Sequence, residues 1–261
     1  MTYCVAISTE GGLVFCSDSR TNAGSDMLSS HSKMHVFNPS NDSVFVILAA
    51  GNLATTQAIV NRIEQDLEEP DKPSLRTCSK MNEAARYISQ VSREEHEQAH
   101  ADTAAAGVDT TCSLIFGGQI RGAHQGLYLM YSAGNFVSES DETPFLQIGE
   151  SKYGKPILDR ILTRHTTLED AARCAIVSMD STIKSNATVG PPIEVLVYEK
   201  DTFITDHYIK MDEDDAYLRE IKQVWNEALN NAFSKLPPFH WEQRSVTNLQ
   251  AVTNSFQNNQ S

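Results

Sequence analysis

The chain has 261 residues, of which 40% are hydrophobic, with a formal net charge of −13 and a pI near 5.0. That is enough material for one large buried core, and so negative a balance disfavours nucleic acid and anionic membrane surfaces as partners. The five cysteines, Cys4, Cys16, Cys78, Cys112 and Cys174, are odd in number and lack a C-x-x-C pair. Zinc and dithiol chemistry are therefore not indicated, and a reducing cytoplasm is expected.

No basic, apolar leader opens the sequence, so no export signal is expected. The densest apolar run, residues 44–50, has strand length and falls well short of the roughly 18 residues that cross a bilayer. Residues 3–8 place Val5 and Ile7 on one face, and with residues 13–16 they predict a β-hairpin around Thr9-Glu10-Gly11-Gly12. Residues 33–37 and 44–50 read as two more strands across the turn formers Asn38-Pro39-Ser40-Asn41-Asp42, giving four strands in the first fifty residues. After Gly51 the spacing becomes helical, with Ile59, Ile63 and Leu67 four apart, and ends near Pro70 and Pro73. A second, more polar helix covers residues 80–100.

Strands follow at residues 110–116 and 126–131, joined through Gly117-Gly118, and then a turn-rich stretch runs to Glu142. Helices at residues 152–162 and 168–183 and strands at 193–198 and 202–209 complete the pattern. Strands, two helices, strands, two helices, strands: both helix pairs carry an apolar stripe to bury, which predicts an α+β fold, a four-layer αββα sandwich of two stacked antiparallel sheets. This domain is assigned residues 2–210. An appended helix is expected within residues 211–242, with Asp212-Glu213-Asp214-Asp215 at its entrance and Tyr217, Leu218, Ile221, Val224, Trp225 and Leu229 on its apolar face. Residues 243–261, rich in Asn, Gln, Ser and Thr, are expected to be disordered.

Residue 2 carries the most specific chemistry. A threonine hydroxyl needs a base to become a nucleophile, and its own free α-amine, which titrates near pH 8 in isolation, can serve. Thr2 gains that amine once Met1 is removed, and a small second residue favours the removal. Sixteen positions on stands Asp18, in Ser17-Asp18-Ser19-Arg20, and fifteen further Lys33, in Ser32-Lys33-Met34-His35. A lysine ammonium near Thr2 would ease alkoxide formation and depress the amine's pKa, and an aspartate would hold that lysine charged. Each residue alone also has a plain reading, as a surface turn aspartate or a strand-start lysine.

The combination resembles the proteasome β-subunit superfamily of N-terminal-nucleophile hydrolases. The segments Thr2-Tyr3-Cys4-Val5-Ala6, Ser17-Asp18-Ser19-Arg20-Thr21-Asn22-Ala23-Gly24 and Lys33-Met34-His35-Val36-Phe37 are most similar to the bacterial Anbu, or ancestral β-subunit, family. The resemblance spans residues 2–210 and implies a threonine peptidase with Thr2, Asp18 and Lys33 as catalytic group. It further implies Gly51, in Ala49-Ala50-Gly51-Asn52, as an oxyanion donor, with Thr21 and Asn22 beside an extended peptide or unfolded-protein substrate. A helix-start glycine required only for its backbone remains the other reading of Gly51. No cofactor is implied. Self-assembly into a homo-oligomeric ring or helical stack is implied, and the apolar faces of residues 54–67 and 80–100 are its expected contacts.

Two positions depart from the family pattern. Glu150, then Ser151, follow Gln147-Ile148-Gly149 where a serine usually comes directly, and residues 184–192 offer Asn186 and Thr188 in place of an aspartate and a serine. A carboxylate near the Thr2 amine would raise its pKa and weaken it as a base, so low activity is expected. A catalytically silent, self-assembling subunit and a small-molecule amidase are the alternatives. His96 and His100 read as an exposed helix face, and Cys4 and Cys16 as small core residues.

Overall fold

The computed structural model describes residues 1–22 and 28–242. The expected disordered tail thus lies outside the described residues, as do Ala23 and Gly24. The N-terminal hairpin forms from β1 (Tyr3–Thr9) and β2 (Gly12–Asp18), where Thr9 pairs with Gly12 across the turn. A short ribbon of β3 (Arg20–Asn22) and β4 (Leu28–Ser30) follows, then β5 (Met34–Ser40), β6 (Ser43–Gly51), α1 (Leu53–Glu68) and α2 (Met81–Thr103). The second half contains β7 (Cys112–Ile120), β8 (Gly126–Met130), β9 (Phe136–Ser138), β10 (Phe145–Gly149), α3 (Ser151–Ile161), α4 (Leu168–Ser185), β11 (Ile193–Glu199), β12 (Tyr208–Met211) and α5 (Ala216–Ser234).

One five-stranded sheet has the order β10-β1-β2-β11-β12 and the other β5-β6-β7-β8-β9, with every described pairing antiparallel. Strand alternation builds the layers. Ala6, Leu13, Phe15, Leu196 and Tyr198 from the first sheet meet Val44, Val46, Leu48, Ile115 and Leu127 from the second in one buried cluster. On its other face the second sheet presents Phe45, Ile47, Leu114 and Phe116 to Ile59 and Ile63 of α1 and Ala84, Ile88 and Val91 of α2. Helices α3 and α4 cover the first sheet from outside. The sandwich expected from the sequence is the fold.

Several local readings need correction. Gly117-Gly118 is no turn: both lie within β7, and the chain reverses after Ile120. An added Cβ at Gly117 would stand 2.8 Å from Leu127 and 2.9 Å from Phe15, and at Gly118 2.0 Å from the Val44 carbonyl. Close packing, rather than a bend, requires these glycines. The last strand begins at Tyr208 rather than residue 202, because Asp201 and Phe203 take left-handed conformations, φ 65° and 57°, that break an extended run. Strands β3, β4, β9 and β10 were not foreseen, so six strands rather than four occupy the first 51 residues.

The chain packs as two compact units that divide at Arg219 and Glu220, within α5. Asp215 accepts the Leu218 N–H at 3.0 Å, the N-capping bond expected of an aspartate there. Of the apolar face foreseen on this helix only Leu218 is buried, while Tyr217, Val224 and Leu229 are exposed, as is Phe233 near the helix end. The apolar faces of α1 and α2, by contrast, are consumed within the core, which overturns their assignment as contact surfaces. Among the described residues no helix is long and apolar enough to cross a membrane.

Candidate active site

The candidate residues gather at one rim of the sandwich because each stands at a strand end. Thr2 precedes β1, Asp18 ends β2, Lys33 stands one residue before β5, and Gly51 ends β6. Lys33 is fixed through its backbone, its carbonyl accepting the Ala49 N–H of β6 at 2.9 Å. Its ammonium donates to Asp18 Oδ1 at 2.7 Å and to the Arg20 carbonyl at 2.8 Å. Asp18 is fully buried and accepts two further bonds, from the Tyr3 N–H at 3.0 Å and the Gly190 N–H at 3.2 Å. All of its partners are donors, an arrangement suited to a carboxylate. Burial nevertheless pushes this carboxyl up from its ordinary value, against the lowering pull of Lys33 and of the Tyr3 and Gly190 bonds.

A cleft of about 280 Å³ is lined by Thr2, Thr21, Lys33 and Gly51 together with Met1, Arg20, Ser32, Ala49, Ala50, Leu53, Thr56 and Gly149. Thr2 is seated by main-chain atoms: its carbonyl accepts the Glu150 N–H at 2.8 Å, and Tyr3 pairs with Gly149 across β1 and β10. Gly149 has φ +79°, and a Cβ there would fall 1.9 Å from the Thr2 carbonyl oxygen. Gly149→Ala is therefore expected to lower stability by more than about 1 kcal/mol and to shift Tm down by at least about 3 °C in thermal unfolding, with Thr2 displaced. An unchanged Tm would contradict this seating.

Gly51 also needs to be glycine, at φ +119° with Thr111 O only 2.4 Å from an added Cβ, while Asn52 caps α1 through the Thr55 N–H at 3.1 Å. The structure thus supplies the backbone reason for this residue and also sets it in the cleft. Asn22 ends β3, and its side chain lies outside the described residues. Glu150 contributes its backbone to Thr2, and its carboxylate stands 3.9 Å from Lys152 Nζ. Ser151 opens α3, and its carbonyl accepts from Gln147. Asn186 and Thr188 bond each other, Asn186 Oδ1 accepting the Thr188 hydroxyl at 2.6 Å. None of these last four lines the cleft. The loop of Asn186 and Thr188 instead bonds to Arg20, which lines the cleft, and to Asp18: the Ala187 carbonyl accepts from Arg20 at 2.9 Å, and the Gly190 N–H donates to Asp18.

Sequence reasoning missed the donors Tyr3 N–H and Gly190 N–H, backbone groups that leave no residue-type signal. It also missed Ser32 and the buried Glu194, although a carboxylate in the otherwise apolar run Ile193-Glu194-Val195-Leu196 is such a signal. Cys4 and Cys16 are fully buried core residues, and burial pushes both thiols up, away from reactivity. His96 meets the Thr110 carbonyl at 3.2 Å and stacks on His100.

Residues 2–198 match the family model of the proteasome subunit. Among solved structures, Anbu (ancestral beta-subunit) from Yersinia bercovieri is 42% identical, covering 91% of this chain and 99% of its own, with a TM-score of 0.86. The helical assembly of the Anbu complex from Pseudomonas aeruginosa is 43% identical over 91% of this chain and 98% of its own, also at 0.86. An Anbu (Gly-1) mutant from Hyphomicrobium sp. strain MC1 gives 41%, 92%, 99% and 0.85. No curated protein matches significantly. Sequence and fold agree over nearly the full length of these structures: the chain belongs to the proteasome-subunit family and resembles its Anbu, or ancestral β-subunit, members.

Proposed function

We propose that this chain is a threonine-type amide hydrolase acting on peptides, with Thr2 as nucleophile once Met1 is removed. The observation that carries the reading is the Lys33–Asp18 pair, 2.7 Å long and nearly sealed from solvent, whose lysine lines the cleft that Thr2 and Gly51 share. Thr2 Oγ attacks the amide carbonyl and passes its proton to the Thr2 amine. The tetrahedral anion is held by the Gly51 N–H and by the Lys33 ammonium. The amine returns the proton to the leaving nitrogen as the C–N bond breaks, and a water molecule, activated by the same amine, hydrolyses the acyl-enzyme. Thr21 and Asn22 are proposed to pair with the extended substrate. Five free thiols suit a reducing compartment, and the reaction is assigned to the cytoplasm.

The test is a β-lactone or epoxyketone electrophile with intact-mass readout. A chain starting at Thr2 and gaining one adduct supports the proposal; an unlabelled chain starting at Thr2 favours the silent subunit, which Glu150 in the usual serine position also suggests.

Self-assembly is proposed as well, since a relative of nearly equal length forms a helical assembly. The exposed Val224, Leu229 and Phe233 of α5 are its proposed contact. Burying one such side chain is worth about 1.5–3 kcal/mol, so Phe233→Asp is expected to weaken association at least about tenfold, seen as smaller species in light scattering. An unaltered size distribution would remove α5 from the interface.

A further inference from the structure

Glu194 lies on β11, 2% exposed, between Ser17 of β2 and Lys210 of β12 in the sheet register. No cation lies within 4.0 Å of its oxygens among the described residues, and it accepts instead from three hydroxyls. Oε2 takes the Ser32 hydroxyl at 2.8 Å and the Ser19 hydroxyl at 3.3 Å, and Oε1 takes the Tyr208 hydroxyl at 2.6 Å. A buried carboxyl without an ion pair is held by donors aimed at it, and of the three bonds that of Tyr208 is the shortest.

The identity of two donors gives the arrangement its meaning. Ser19 directly follows Asp18, and Ser32 directly precedes Lys33. One carboxylate oxygen therefore ties together the chain neighbours of the two residues whose side chains form the 2.7 Å pair. Ser32 has a single hydroxyl proton and two acceptors in reach, Glu194 Oε2 at 2.8 Å and the Met34 carbonyl at 2.9 Å, of which the carboxyl oxygen is the nearer. Directed at Glu194, that proton leaves Ser32 Oγ free to accept the Met34 N–H at 3.2 Å, which fixes the turn into β5 that carries Lys33. The third donor, Tyr208, comes from the edge strand β12, which pairs with β11.

We propose that Glu194 is a positioning residue: through Ser19 and Ser32 it holds the β2 end and the β5 approach at the separation the Lys33–Asp18 pair requires. This deepens the threonine-hydrolase reading and rests on it for its kinetic consequence. The geometric consequence, an ordered Lys33 ammonium, does not depend on turnover.

Two readouts on the full chain test the proposal. In Glu194→Gln, which keeps the side-chain volume, the limiting rate of Thr2 labelling by the electrophile is expected to fall about ten- to a hundredfold, a range like that of outer-shell partners. Its half-saturating concentration should stay within about twofold of wild type. Ser32→Ala should reproduce the rate loss, whereas Tyr208→Phe, which removes only the outer donor, should stay within about threefold of wild type. In parallel, the 15Nζ resonance of Lys33 should shift or broaden in Glu194→Gln and stay in place in Tyr208→Phe. An unmoved Lys33 resonance overturns the proposal, as does equal loss in Glu194→Gln and Tyr208→Phe, which marks a merely structural network. Should the wild type not be labelled while its Lys33 resonance still depends on Glu194, the hydrolase reading fails and the positioning role stands.

Discussion

Thr2→Ala is expected to lower peptide hydrolysis by about 10⁴-fold or more, the scale on which loss of a nucleophile acts, and to abolish electrophile labelling. The fold should not notice. The seat of residue 2 consists of the Glu150 N–H on its carbonyl and the Asp18 bond to the next amide, and neither uses the threonine side chain. Thermal unfolding should therefore agree with wild type within about 0.5 kcal/mol, as for substitutions away from core and caps. Thr2→Ser should retain labelling at a reduced rate. Hydrolysis that survives Thr2→Ala at wild-type speed would show that some other group does the chemistry, and the proposed function would fall.

The largest stability effect is expected from Lys33→Met. Asp18 is wholly buried, and without the ammonium its charge keeps only the two backbone donors. Removing one partner of a buried pair costs about 3–5 kcal/mol, which for a unit of this size lowers Tm by on the order of 10 °C. The pH dependence carries the diagnostic sign. The folded carboxyl of Asp18 already titrates above its ordinary value, because burial outweighs its partners. The folded state therefore binds this proton more tightly than the unfolded chain. Stability from this group is fully present below the unfolded pKa and is lost as pH rises through the folded one. Lys33→Met should accordingly regain stability on mild acidification. A stability gap between Lys33→Met and wild type that fails to narrow on mild acidification would refute this assignment.

What the sequence made legible was local or chemical. Thr2, Asp18 and Lys33 were singled out by their resemblance to the family pattern, and the structure pairs Lys33 with Asp18 at 2.7 Å. The β1–β2 hairpin could be read because Gly11-Gly12 interrupts two apolar runs. Three-residue strands such as β3 and β4 are too short to carry a period. Gly117 and Gly118 mimic a turn signal while serving a tight sheet contact with Phe15 and Val44. The clamp between Gly149 and Thr2 joins residues far apart in the chain through backbone alone. Glu194 was hidden because a search for apolar alternation passes over the one charged residue inside the run. The outward face of α5 was visible as a pattern, yet the pattern could not say which of its residues the fold would cover.

Because the candidate residues share one rim, the strand ends of the opposite rim lie away from them. The proposed role of the residue 2 amine forbids any fusion at the N-terminus, so an affinity handle or fluorophore needs another point of attachment. The reversal after β7 offers one: Gly122, at φ +80°, has no atom within 4 Å of an added Cβ. The nine residues of β7 separate Cys112, the residue paired with Gly51, from Ile120, where that turn begins, by about 27 Å. A reporter inserted there would ride on the second sheet while leaving the rim that carries Thr2 untouched.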